Sequence, residues 1–214
     1  MRLIDRLERK LGRWYIPGLM KYICFGMAGI YVLDLIFASR GVSASVFLMF
    51  NRDLILRGQI WRLISFVLIP PASSPITILF ALYFYYFLGT ALENRWGSRR
   101  FNLYYLIGIV GADIGGMILG YNTNLYLNLS LFLSFACLYP DAEMLLFFIL
   151  PVKARYIGYV DAAFLIYLFI TGSWPMRLNL VASLLPFILF FGRDAYLMVK
   201  YDLQRLKRSL EQKR

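Results

Sequence analysis

The feature that most constrains this chain is a series of long apolar runs with almost no charge inside them. Six can be placed: Tyr22–Ala38, Pro75–Leu92, Phe101–Gly120, Leu125–Tyr139, Tyr156–Thr171 and Leu178–Gly192, the last extending toward Met198. Hydrophobic residues make up 60% of the 214 residues, whereas charged residues make up 16% and collect between the runs. Soluble domains are nearer about 45–50% apolar. A soluble core needs a polar shell, and these charges are too few and too clustered to form one. The pattern predicts an all-α polytopic membrane protein with six spans, in which helices satisfy the backbone polar groups.

Charge then suggests an orientation. With the N-terminus in the cytoplasm, 18 of the 23 Lys and Arg residues fall on the cytoplasmic side and five on the other. The positive-inside rule therefore puts both termini in the cytoplasm. The net charge of +11 is explained by this topology, and its spread over ends and connections argues against a nucleic-acid partner. Residues 1–21 read as a basic amphipathic segment on the membrane surface, not a cleavable signal peptide. Residues 22–192 form the membrane domain, and residues 193–214 a basic helix attracted to anionic lipid. The lack of a targeting extension suits a bacterial plasma membrane. Cys24 and Cys137 lie in apolar runs, which predicts buried thiols without a disulfide or metal-ligand spacing.

The connection from Ser39 to Ser74 is the longest and contains "RGQIWRLISFVLIPPAS". Its apolar run is too short to cross a bilayer, and Pro70, Pro71 and Pro75 argue against one continuous helix. We expect a hairpin lying partly in the outer leaflet, held at headgroup level by Trp61 and by a snorkelling Arg62. The fourth run has 15 residues, too few to cross unless the bilayer thins or an end enters a polar cavity. The third carries Gly108, Ala112, Gly116 and Gly120 at four-residue spacing, flanked by Gly111 and Gly115, which predicts tight helix packing.

Polar residues inside the runs are the candidate functional groups. Asp113 lies near the middle of the third run and reads as a helix cross-link or a functional acid. Asp34 and Asp161 are placed nearer run ends, within reach of interfacial water. Asn128, Ser130 and Ser134 lie on the fourth run, with the two serines on one face. Pro186 lacks the N–H that the Ala182 carbonyl would accept, which predicts a bend in the sixth run.

In chain order, "GQIWR", "FLGTALENRWGSRR", "GADIGG", "FACLYPDAEMLLFFILPVKARYI" and "NLVASLLPFILFFG" together resemble the rhomboid family of intramembrane serine proteases and their inactive relatives. The likeness covers roughly Tyr22 to Gly192. It implies a six-span bundle with an outer re-entrant hairpin. On it, Trp61 and Arg62 match the hairpin's Trp-Arg pair, Glu93 a glutamate at the inner end of the second span, and Gly89 and Gly97 its flanking glycines. Active members carry a Gly-x-Ser-Gly on the fourth span and a His on the sixth. This chain has no Gly-x-Ser-Gly before Pro140 and no histidine anywhere. By this alignment the oxyanion Asn falls at Ala81, its neighbouring His at Thr77 and the sixth-span His near Ser183.

The residues make the same case independently. A serine needs a neighbouring base to act as a nucleophile. Every lysine lies at an expected cytoplasmic end, so no Ser–Lys pair is available within a span. The expectation is a non-enzymatic, rhomboid-like pseudoprotease that needs no cofactor or metal. It would bind transmembrane segments of client proteins through Asp113, Asn128, Ser130 and Ser134, in contact with membrane lipid and with a partner protease. Two alternatives are a rhomboid protease with an atypical site and a small transporter or channel using Asp34, Asp113 and Asp161.

Overall fold

The computed structural model describes residues 15–39, 41–71, 74–146 and 150–211. Most of the expected basic N-terminal segment, Arg40, and the last three residues therefore lie outside the described residues. The chain is an all-α membrane protein. The first membrane helix is α1 (Leu19–Ala38). The connection after it folds into α2 (Ala44–Leu48), α3 (Arg52–Leu56), α4 (Arg62–Ser65) and a 3-10 turn at Phe66–Leu68. Then come α5 (Pro75–Trp96), α6 (Ser98–Leu119), α7 (Leu125–Leu138), α8 (Ala154–Thr171), α9 (Trp174–Ser183) and α10 (Leu185–Glu211).

Among the described residues, α1, α5, α6 and α8 are long and apolar enough to cross a membrane. The sixth run is a bent pair: α9 and the first part of α10 meet at 50°. Pro186 explains the bend, since it has no N–H for the Ala182 carbonyl. The helix after the bend runs without a break through the expected domain boundary at residue 192 to Glu211. The fourth run is the 14-residue α7, roughly 21 Å long at the usual helical rise. That is well short of a hydrocarbon core of ~30 Å.

This short helix is nevertheless the middle of the bundle, with α5, α6, α8, α9 and α10 packed around it. Its side chains from Leu127 to Ala136 are almost all buried, Leu129 excepted. The mismatch with bilayer thickness is therefore met inside protein. The outer helices carry exposed Phe25, Leu35, Leu79, Tyr83, Val160 and Ile166 toward lipid.

The glycine stripe of α6 is what lets the bundle close. A Cβ at Gly111 would lie 2.0 Å from the Ala182 carbonyl oxygen, and one at Gly115 2.6 Å from the Asn179 Cα. A Cβ at Gly108 would meet Leu127 at 2.2 Å, and one at Gly116 would meet Phe50 at 2.7 Å. The same helix thus presents bare backbone to α9, α7 and the connection. Small residues permit this approach where lipid offers no hydrophobic drive between helices.

Two short antiparallel pairs were not expected. β1 (Phe50–Asn51) pairs with β2 (Tyr121–Asn122), tying the connection to the end of α6. β3 (Glu143–Leu146) pairs with β4 (Leu150–Lys153) between α7 and α8. In that second connection Lys153 and Arg155 both reach Asp141, at 3.3 and 2.5 Å.

Candidate functional site

The connection between α1 and α5 is held down by its own polar groups. Arg62 donates from Nε to Gln59 at 2.7 Å, and from Nη1 to the carbonyls of Val46 and Met49 at 2.9 and 2.6 Å. It is only 4% exposed. The expectation of a snorkelling arginine is therefore corrected: the guanidinium turns inward, because three acceptors in the preceding loop match its planar fork. Trp61 does face outward, half exposed, with its indole N–H on the Phe47 carbonyl. Leu56, Ile60 and Ile64 are exposed around it. Beneath them, Phe50 and Phe66 stack edge to face at 6.1 Å.

Asp34 lies near the end of α1, as expected, and is partly exposed. Its carboxylate accepts from the Ser43 hydroxyl, the Ser45 hydroxyl and the Ser45 backbone N–H. It thereby anchors the start of α2 against the end of α1. Asn124, before α7, donates to the carbonyls of Val67 and Ile69 at 3.1 and 2.9 Å. This roofs the short helix with the 3-10 turn.

The opposite end has a second polar corner, where Gly89, Glu93 and Gly97 follow one another at four-residue steps. A Cβ at Gly89 would sit 2.4 Å from Met20. Glu93 accepts from the Gly18 N–H at 2.8 Å, and Asn102 exchanges two hydrogen bonds of 2.9 Å with the Ile16 backbone. Gly97, at φ 83°, lets α6 begin one residue after α5 ends, a conformation that L side chains disfavour.

Between these ends lie the buried hydroxyls. Tyr104 donates to the Ser130 carbonyl at 2.9 Å, and its oxygen lies 3.1 and 2.9 Å from the Ser130 and Ser134 hydroxyls. Ser130 in turn donates to the Leu127 carbonyl, and Ser134 to the Ser130 carbonyl. Both serines are fully buried. In this packing the two client-binding candidates cross-link α6 and α7 from within the bundle. On the other side of α6, Ser183 donates to the Asn179 side chain at 3.4 Å. Asn179 donates to Asn122, and Asn122 to the Ala112 carbonyl. Among the described residues, none of these serines is hydrogen-bonded to a basic side chain.

The three positions matched to catalytic groups differ in exposure. Thr77 is exposed, Ala81 half-buried and Ser183 fully buried. The half of α5 that carries Thr77 and Ala81 has Ile78 as its one buried side chain before Leu88.

Besides the Arg100 Nε, four buried groups among the described residues lack a hydrogen-bond partner. Asn128 is 3% exposed, and both ends of its amide are unpaired. Tyr85 lies near enough to interact with it electrostatically, but no hydrogen-bond geometry joins them. The Tyr105 hydroxyl and one Asp113 oxygen are also unpaired. Asp161 is the fourth, with both oxygens buried and unpaired. Its expected place near a run end is corrected: it sits mid-way along α8, on the buried line Ala154, Gly158, Asp161 and Leu165. This four-three-four spacing was visible in the sequence and marks the face that meets α7. Asn102, Asn122, Asn124 and Asn179 were not singled out by sequence, since an Asn in or beside a span has no signature of its partner.

Among the described residues, no group of three or more His, Cys, Asp or Glu is placed to hold a metal ion. Cys24 and Cys137 are half-buried thiols, not joined in a disulfide. Chemically, the interior offers hydrogen-bond donors and acceptors in quantity and a carboxyl group without a partner. A comparison with family models matches residues 18–207 to one described as the Der1-like family. No curated protein matches the chain.

Proposed function

Because this chain belongs to the Der1-like family, a rhomboid-like family of mostly inactive membrane proteins, we propose that it binds transmembrane segments of client proteins without cleaving them. One observation carries the reading. Ser130, Ser134 and Ser183 share hydrogen bonds with carbonyls, a phenol and an amide, in a chain without histidine. A hydroxyl so placed has no group to take its proton.

The client surface in this reading is the exposed half of α5 around Thr77 and Ala81, beside the laterally lying connection. That connection thins the bilayer locally. A client helix with polar or helix-breaking residues is poorly held by lipid and gains by moving to this flank. Asp113, half-buried with one unpaired oxygen, is the polar candidate nearest to being available, whereas Asn128 is buried. A partner protease then disposes of the client, with the Lys- and Arg-rich termini on the cytoplasmic side of a bacterial plasma membrane.

The test is photocrosslinking in native membranes from residues 77 and 81, with exposed Val160 on α8 as the comparison. Adducts to membrane proteins from 77 and 81, absent at 160, are expected. Identical adduct patterns at all three would sink the docking surface. Fluorophosphonate labelling of Ser130 or Ser183, lost on substitution by Ala, would sink the non-enzymatic reading.

A further inference from the structure

We propose that α1 and α5 together bind one phospholipid with a primary-amine, zwitterionic headgroup. Two hollows meet along these helices. One, of about 360 Å³, is walled by Cys24, Phe25, Ala28, Leu79, Leu82 and Tyr83. The other, of about 420 Å³, lies at the Gly18 end and is walled by Thr90, Glu93, Asn94, Gly97 and Ser98. Lys21 and Tyr86 line both, so the two hollows adjoin, and a ligand lying along α1 and α5 would occupy them as one groove.

The groove changes character along its length as a phospholipid does. Its apolar part runs along the membrane helices, at the depth of an acyl chain. Its polar part lies at the helix ends, where headgroups are. A cation and an anion stand there together, with Thr90, Asn94 and Ser98 as neutral hydrogen-bonding groups. Lys21 suits a phosphate. Glu93, held at the wall by the Gly18 N–H at 2.8 Å, suits an ammonium that still has N–H groups to donate. A choline headgroup has no such N–H, and a glycerol headgroup has no positive charge. Charge complementarity therefore favours the ethanolamine class over both. This site shares the Leu79–Tyr83 stretch of α5 with the proposed client surface, but it does not rest on the client reading.

Native mass spectrometry of the full chain tests it, titrating phosphatidylethanolamine, phosphatidylcholine and phosphatidylglycerol of matched acyl chains. The ethanolamine lipid is expected to be retained several-fold more than either of the others. Lys21→Gln should lower retention of all three about fivefold, the worth of one lysine near a lipid headgroup. Ala28→Trp fills the apolar hollow without touching the polar end. It should lower all three while keeping their order, with helicity by circular dichroism confirming the fold. Equal retention of the three lipids, or preference for the glycerol lipid, overturns the headgroup assignment. Unchanged ethanolamine-lipid retention in both variants overturns the site.

Discussion

Gly111→Ala is the most direct probe of how this bundle holds together. The new Cβ would sit 2.0 Å from the Ala182 carbonyl oxygen and 2.9 Å from its carbon. Ordinary contact begins near 3.4 Å, so α9 must retreat by about 1.4 Å. The obstacle is backbone, not the end of a flexible side chain, so no rotamer change relieves it. Overpacking of this kind costs about 1–3 kcal/mol, and a whole-helix shift belongs at the upper end. Alanine's better helix propensity returns about 1 kcal/mol. The net expectation is a loss of about 2 kcal/mol. Gly29→Ala on α1 is the control, because its Cβ meets nothing within 4 Å, and it should be neutral or gain up to about 1 kcal/mol. Unfolding in mixed micelles with increasing dodecyl sulfate, followed by tryptophan fluorescence, measures both. If the two variants behave alike, the close approach of α6 and α9 is not a determinant of stability and the packing argument fails.

Other outcomes follow from the same geometry. Arg62→Lys keeps the charge but not the three-way fork. It should cost about 2–3 kcal/mol, and amide exchange across residues 44–68 should rise; unchanged exchange would mean the loop is held by its apolar face alone. Asp161→Leu removes a buried carboxyl without a partner and should stabilise by about 1–3 kcal/mol, whereas Asp161→Asn should not. A lower unfolding midpoint for the leucine variant would show that the carboxyl is bonded. In the connection between α7 and α8, Lys153, and then Arg155, hold the Asp141 carboxyl below its ordinary value. A depressed carboxylate stabilises fully above its unfolded pKa and loses that contribution as pH falls through the folded one. Exchange protection of the β3–β4 pair should therefore be constant from neutral pH to about 4 and decline below it. Asp141→Asn should abolish that acid-side decline.

How much of this was legible in the sequence differs by feature. The four helices long and apolar enough to span follow from apolar run length, with ends shifted by a few residues: α1 begins at Leu19 and α5 continues to Trp96. The glycine stripe announced close packing, and Pro186 announced the bend, because both act through backbone geometry at the residue itself. The candidate site was read less well. Ser130 and Ser134 were visible as a pair on one face, but their partner Tyr104 lies 26 and 30 residues earlier. Arginine beside tryptophan reads as a membrane anchor; two of the three acceptors of Arg62 are backbone carbonyls, which every residue carries and no pattern marks. Asp161 was set near water by its distance from a run's end, while its position on the buried line of α8 decides its surroundings.

The sequence by itself determined which segments leave water, since that depends on each segment's own composition and length. It also determined that no imidazole is present. Only the tertiary structure decided which polar groups inside the membrane are bonded and which are not. Asn102 clamps Ile16 across 86 residues, and Asn124 roofs α7 by reaching Val67 across 57. A hydrogen bond is a relation between two places in space, and in a bundle those places are brought together by packing that no local pattern encodes.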